Sequence, residues 1–123
     1  MPHKTLWKTA GIIWEFSGVL PLTEVAEVNA EFYSDPRSDD VRYQIFDGTA
    51  IDTIVGSEQE AKMLAAIDGG ASRSIPNLKV ALVIKEPMLE LAEAYKENLS
   101  KFGSGWHCEI FYSMDKAKDW VAE

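Results

Sequence analysis

The residues with chemical potential are few and scattered. Asp47 and Asp52 are followed closely by Glu58 and Glu60, and His107 adjoins Cys108. Grouped carboxylates can hold a divalent cation or divide acid and base roles. The same acids also suit solvated loop charge and a helix start, where the helix dipole favours them. His107 and Cys108 are sequence neighbours, so on a strand their side chains point to opposite faces and do not act as a pair. Two histidines and one cysteine are too few for a zinc site of the usual kind. No metal and no cofactor is therefore expected. Asp47, Asp52 and His107 are the nominees for catalysis, and an enzyme ranks behind the non-catalytic readings below.

Ile45-Phe46-Asp47-Gly48-Thr49 invites comparison with the Asp-x-Asp-Gly-Thr box of haloacid-dehalogenase-type phosphatases, but Ile45 stands where the nucleophilic aspartate is needed. The plainer expectation is a strand ending in an Asp-Gly turn. Gly69-Gly70 and Gly103-Ser104-Gly105 both follow helix-patterned stretches. A phosphate-cradling loop follows a strand and opens a helix, so these glycines read as helix stops. Of the four tryptophans, Trp14 and Trp120 fall on apolar faces, while Trp7 and Trp106 lie near element ends.

Four apolar, β-rich runs must position these residues: Gly11–Val19, Val41–Phe46, Leu78–Lys85 and Trp106–Tyr112. Each precedes a helix-patterned stretch, near Thr23–Tyr33, Ser57–Asp68, Pro87–Phe102 and Met114–Ala122. Strand-helix alternation predicts an α/β layer fold. Residues Thr5–Phe16 fit either a strand pair folded near Ala10-Gly11 or one bent strand, with Gly18 breaking the run. Leu22, Val25, Ala26, Phe32 and Tyr33 form the stripe of the first helix, and Asn29 falls on it. A buried asparagine must find partners, so its roles are capping a nearby loop or touching a ligand. Ser57-Glu58-Gln59-Glu60 is a capping box, and Ala61, Leu64, Ala65 and Asp68 run down one side of the helix it opens. The nearly continuous apolar run Val80–Ile84 predicts a central strand covered on both faces. Leu91, Ala92, Tyr95, Leu99 and Phe102 form the third stripe, and Ser113 caps the last helix.

A chain of 123 residues fits one domain, Met1–Glu123, large enough for a core without disulfides. The net charge of −8 argues against nucleic acid and anionic membrane surfaces as partners. Cys108 is the single cysteine, which suits a reducing compartment. The start shows no signal-peptide pattern and no run is long enough to span a membrane, so a cytoplasmic location is expected.

Several stretches together resemble the bacterial SpoIIAA-like, or STAS/SEC14-like, family. They are Gly18-Val19-Leu20-Pro21-Leu22-Thr23-Glu24, then Ser34-Asp35-Pro36-Arg37 leading to Val41-Arg42-Tyr43-Gln44-Ile45-Phe46-Asp47, and Ala117-Lys118-Asp119-Trp120-Val121. Lys79-Val80-Ala81-Leu82-Val83 resembles the family's central strand. The resemblance implies a mixed sheet of four or five strands with about four helices, largely on one face, as in anti-sigma-factor antagonists. Those antagonists are phosphorylated on a serine of an Asp-Ser-Ser/Thr-Gly motif. The comparable segments here read Asp47-Gly48-Thr49-Ala50 and Val55-Gly56-Ser57-Glu58, which leaves Thr49 and Ser57 as the phosphosite candidates.

Two functional expectations follow. The first is a non-enzymatic regulatory module that meets a protein partner through a loop between Asp47 and Ser57, with the start of the second helix. The second is a carrier of a small hydrophobic molecule or lipid, with a pocket between helices and sheet lined by Trp14, Phe32, Tyr95 and Phe102. A twofold homodimer is expected on general grounds.

Overall fold

The computed structural model describes residues 3–72, 75, 77–101 and 105–123. The chain starts with a hairpin, β1 (His3–Trp7) and β2 (Gly11–Pro21), followed by α1 (Leu22–Ser34) and β3 (Tyr43–Val55). It continues through α2 (Glu58–Ala71), β4 (Lys79–Val83), α3 (Leu89–Lys101), β5 (His107–Phe111) and α4 (Met114–Val121). The N-terminal ambiguity resolves as a strand pair, with Trp7 opposite Ile12 and His3 opposite Phe16.

The five strands lie in sequence order, β1 antiparallel to β2 and the other neighbours parallel. Parallel strands that advance in one direction, joined by crossovers of one hand, place every connecting helix on the same face. Ile12, Trp14 and Phe16 of β2 and Val80 of β4 therefore pack with Val28 and Phe32 of α1, Ala65 of α2, and Ala92 and Leu99 of α3. Helix α4 follows the last strand and is free of that constraint. It covers the opposite face, where Ala117, Trp120 and Val121 meet Ile13, Ile45, Ala81 and Val83. The molecule is thus an α/β protein with a mixed five-stranded sheet and four helices, three of them on one face.

Three local expectations need correction. Strand β3 does not end in an Asp-Gly turn; it runs on to Val55. Between Asp47 and Ala50 it has three steps to the two between Glu15 and Ser17 on β2, so Asp47-Gly48-Thr49 forms an irregularity within a continuing strand. Gly18 likewise bends β2 without ending it; its φ of +69° is left-handed backbone that glycine adopts freely. Helix α2 passes through Gly69-Gly70 and ends at Ala71, with Ser72 as its C-cap. Burial of Asp68 and Gly69 against the core holds that last turn despite glycine's poor helix propensity. The expected stops at Gly103-Ser104-Gly105 lie largely outside the described residues.

The helix starts match expectation. The Ser57 hydroxyl accepts from the Glu60 amide while the Glu60 carboxylate accepts from the Ser57 amide, each at 3.2 Å. Ser113 accepts from the Lys116 amide. Among the described residues, no helix is long and apolar enough to cross a membrane.

Candidate functional site

The three-helix face of the sheet does not close completely. A cavity of about 90 Å³ remains between the sheet and α1, α2 and α3. Its wall is mostly apolar, with Trp14, Phe16 and Phe46 from the sheet and Leu64, Met88 and Ala92 from the helical side. Four polar side chains break that wall, one from each of four elements: Asn29 of α1, Gln44 of β3, Asp68 of α2 and Tyr95 of α3.

Local periodicity brings them there. Asp68 lies one and two turns beyond Leu64 and Ala61, on the buried stripe of α2. Asn29 sits between the buried Val28 and Phe32 on α1, and Tyr95 follows the buried Ala92 by one turn on α3. Gln44 shares a strand face with Phe46 and pairs with Ile12 and Val80, so it points to the helical side.

Asp68 is the hub. One carboxylate oxygen accepts from the Tyr33 hydroxyl and from Asn29 Nδ2 at 3.5 Å, and the other accepts from the Tyr95 hydroxyl at 2.5 Å. Burial pushes the Asp68 carboxyl up to about 6, against the downward pull of the Tyr33 and Tyr95 hydrogen bonds. Burial raises both tyrosines, with a further push from the Asp68 charge, so they remain protonated donors. At neutral pH Asp68 is therefore mostly ionised and is held by neutral donors, with no lysine or arginine in the cavity wall among the described residues.

Gln44 differs from the other three. Its side chain is 3% exposed, and its Nε2 has no hydrogen-bond partner among the described residues. A buried donor left unpaired costs about 1–3 kcal/mol. Buried polar groups without partners are rare enough in folded proteins to require a reason, such as a bound molecule.

The residues singled out from the sequence fall in different places. Trp14 and Tyr95 line the cavity. Phe32 lies behind the wall in the core, edge-on to Trp14 at 5.7 Å and stacked on Trp7 at 5.9 Å. Phe102 lies outside the described residues. Among the described residues Asn29 caps no loop; it joins Asp68 at the cavity. Thr49 and Ser57 are exposed and apart from it. The Thr49 amide and hydroxyl both donate to Asp47, at 3.1 and 2.7 Å, and the Ser57 hydroxyl serves the α2 cap. The segment from Asp47 to Ser57, expected to be a loop, is mostly strand.

Asp47, Asp52 and His107 are not brought together. Asp47 pairs with Val83 at one end of β4, whereas His107 pairs with Lys79 at the other. Four steps along the strand separate those ends by roughly 13 Å, and Asp52 lies farther along β3 still. Burial pushes the Cys108 thiol up to about 12, which leaves it protonated and a poor nucleophile. Among the described residues there is no group of three or more His, Cys, Asp or Glu side chains arranged to hold a metal ion.

No family model matches the sequence, and no curated protein matches it. A solved structure does: an uncharacterized protein of the DUF3478 family with a SpoIIAA-like fold, from Shewanella loihica PV-4. The match has a TM-score of 0.55 at 12% sequence identity and covers 97% of this chain and 91% of that one. The chain has the SpoIIAA-like fold.

Proposed function

We propose that this protein binds a small, mostly apolar molecule in the cavity between the sheet and α1–α3, without catalysing a reaction on it. The observation that carries the reading is the wall itself. It is an apolar surface with a few convergent polar groups at one cluster, the usual composition of small-molecule sites. A volume of about 90 Å³ suits a compact molecule and falls well short of a lipid chain.

The test is native mass spectrometry of the protein purified gently from its own cells, beside the Ala92→Leu variant. Ala92 is buried and borders the cavity, so the larger side chain occupies the ligand's space. The expected result is a co-purifying small molecule on the wild type and none on Ala92→Leu, with Tm no lower in the variant. A wild type that carries nothing and does not respond to an apolar probe would sink the reading.

A regulatory, protein-binding role stands second. What favours it is exposed apolar surface, Val55 at the end of β3 and Met63 and Ile67 on α2. Exposed apolar patches often mark protein contacts. Thr49 and Ser57 remain its phosphosite candidates. A phosphate mass mapped to either residue in the same spectrum would support this role, and unchanged partner binding by both Thr49→Glu and Ser57→Glu would count against it.

A further inference from the structure

We infer that the cavity takes an uncharged, compact molecule carrying an acceptor oxygen, such as a small ketone, and that Gln44 Nε2 donates to that oxygen. The inference rests on the ligand-binding reading above and narrows it to a chemical class.

Three observations lead to it. First, Tyr33, Tyr95 and Asn29 of the polar corner already donate to Asp68, and Gln44 does not. The Asp68 carboxylate is thus supplied from three sides. Gln44 Nε2, buried and on the cavity wall, is the donor without a partner among the described residues. An unpaired N–H calls for an acceptor, and the apolar side chains around it have none to offer.

Second, charge selects against ions. Asp68 is anionic near neutrality in a buried site, and among the described residues no basic side chain lines the wall. A carboxylate ligand would meet a like charge with no counter-ion. A cation would have to displace the tyrosine donors that hold Asp68. A neutral molecule disturbs neither.

Third, size limits the body. About 90 Å³ corresponds to on the order of four non-hydrogen atoms, given that a cavity of roughly 150 Å³ holds the six carbons of benzene. Phe16, Phe46, Leu64 and Val80 present hydrocarbon to the rest of the molecule.

Acetone and isobutene form a suitable probe pair, because both match that size and they differ by a carbonyl oxygen against a CH2 of similar shape. Their affinities are measured by NMR titration at pH 7.5 for wild type, Gln44→Leu and Gln44→Met, with acetate as the anionic probe. The methionine variant keeps the length of glutamine and stands in if the leucine variant fails to fold. The expected result is a loss of about tenfold in acetone affinity on removing the amide, the worth of one ordinary hydrogen bond. Isobutene affinity stays the same or improves. In the wild type, the Gln44 side-chain amide protons move downfield with acetone and stay put with the hydrocarbon. Acetate does not bind.

Equal effects of the substitutions on both probes, an unmoved Gln44 amide, or binding of acetate would each overturn the inference while leaving a ligand pocket in place. Binding of none of the probes to any of the proteins would overturn the pocket reading as well.

Discussion

Asp68 is the residue at which stability and site chemistry meet. Its carboxyl is pushed from the ordinary 3.8 to about 6 because burial disfavours the charge more than two tyrosine hydrogen bonds favour it. The native state therefore holds the Asp68 proton more tightly than the unfolded chain. Between about pH 4 and pH 6 the unfolded chain has released it and the native protein has not. Stability from this group falls as pH rises through that window, and the penalty is complete above it. A difference between 3.8 and about 6 corresponds to roughly 3 kcal/mol at neutral pH. Asp68→Asn removes the titration. Its hydrogen-bond losses are a pH-independent offset, so the informative quantity is the variant's stability minus the wild type's. Urea unfolding at a series of pH values is expected to show that difference moving in the variant's favour from pH 4 to pH 7. A flat difference would mean that Asp68 titrates near its ordinary value and that the corner is better hydrated than the fold indicates. Tyr95→Phe should act in the opposite sense on the site, raising the Asp68 pKa further by removing a donor to the charged form. Carbon-detected NMR titration of the carboxyl reads this directly.

Among the elements, β3 carries the most unexpected structure. It pairs with β4 only as far as Asp47, yet stays paired with β2 to Val55, so the β2–β3 ribbon projects past the other strands. The irregularity at Asp47-Gly48-Thr49 is where the sheet changes from several strands to two. Asp47 ties it by accepting twice from Thr49. Gly48 permits it, because a Cβ there would come within 2.9 Å of the Phe46 ring and 3.0 Å of the Val83 carbonyl oxygen. The ring can swing aside; the carbonyl belongs to the end of β4 and cannot move without disturbing the ladder. Gly48→Ala is therefore expected to destabilise the protein by about 1–3 kcal/mol, the usual cost of overpacking. Hydrogen exchange should place the loss at the β3–β4 junction. A variant as stable as wild type would show that β4 yields there at little cost. The same packing accounts for the misplaced strand end: Asp-Gly is a turn signal in local sequence, but pairing with β2 continues through it, and tertiary contacts prevail over local preference.

At the scale of the molecule, legibility follows the range of the interactions. Strand-helix alternation, the capping box at Ser57 and the Ser113 cap were readable because each depends on residues within a turn or two. Trp14 and Tyr95 were readable as inward-facing aromatics. The corner they border was not, because Asn29, Gln44, Asp68 and Tyr95 come from four elements and meet only when α1, α2 and α3 close over the sheet. Asp68 passed as one more position on a stripe, although an acid in line with Ala61, Leu64 and Ala65 was the available signal. The position of α4 makes a final prediction possible. The sheet separates a core under α1–α3 from a second core under α4, and the cavity belongs wholly to the first. Trp120 packs on Phe111 in the second core, with ring centroids 5.6 Å apart. Trp120→Ala should cost about 2 kcal/mol, less than a fully buried tryptophan because the side chain is half-buried. Residues in separate layers without shared partners act nearly independently. The effects of Trp120→Ala and of the cavity-filling Ala92→Leu should therefore add to within about 0.5 kcal/mol in a denaturation double-mutant cycle. A coupling well above 1 kcal/mol would mean that the strands transmit strain between the layers, and that a ligand seated beneath α1–α3 is felt at α4.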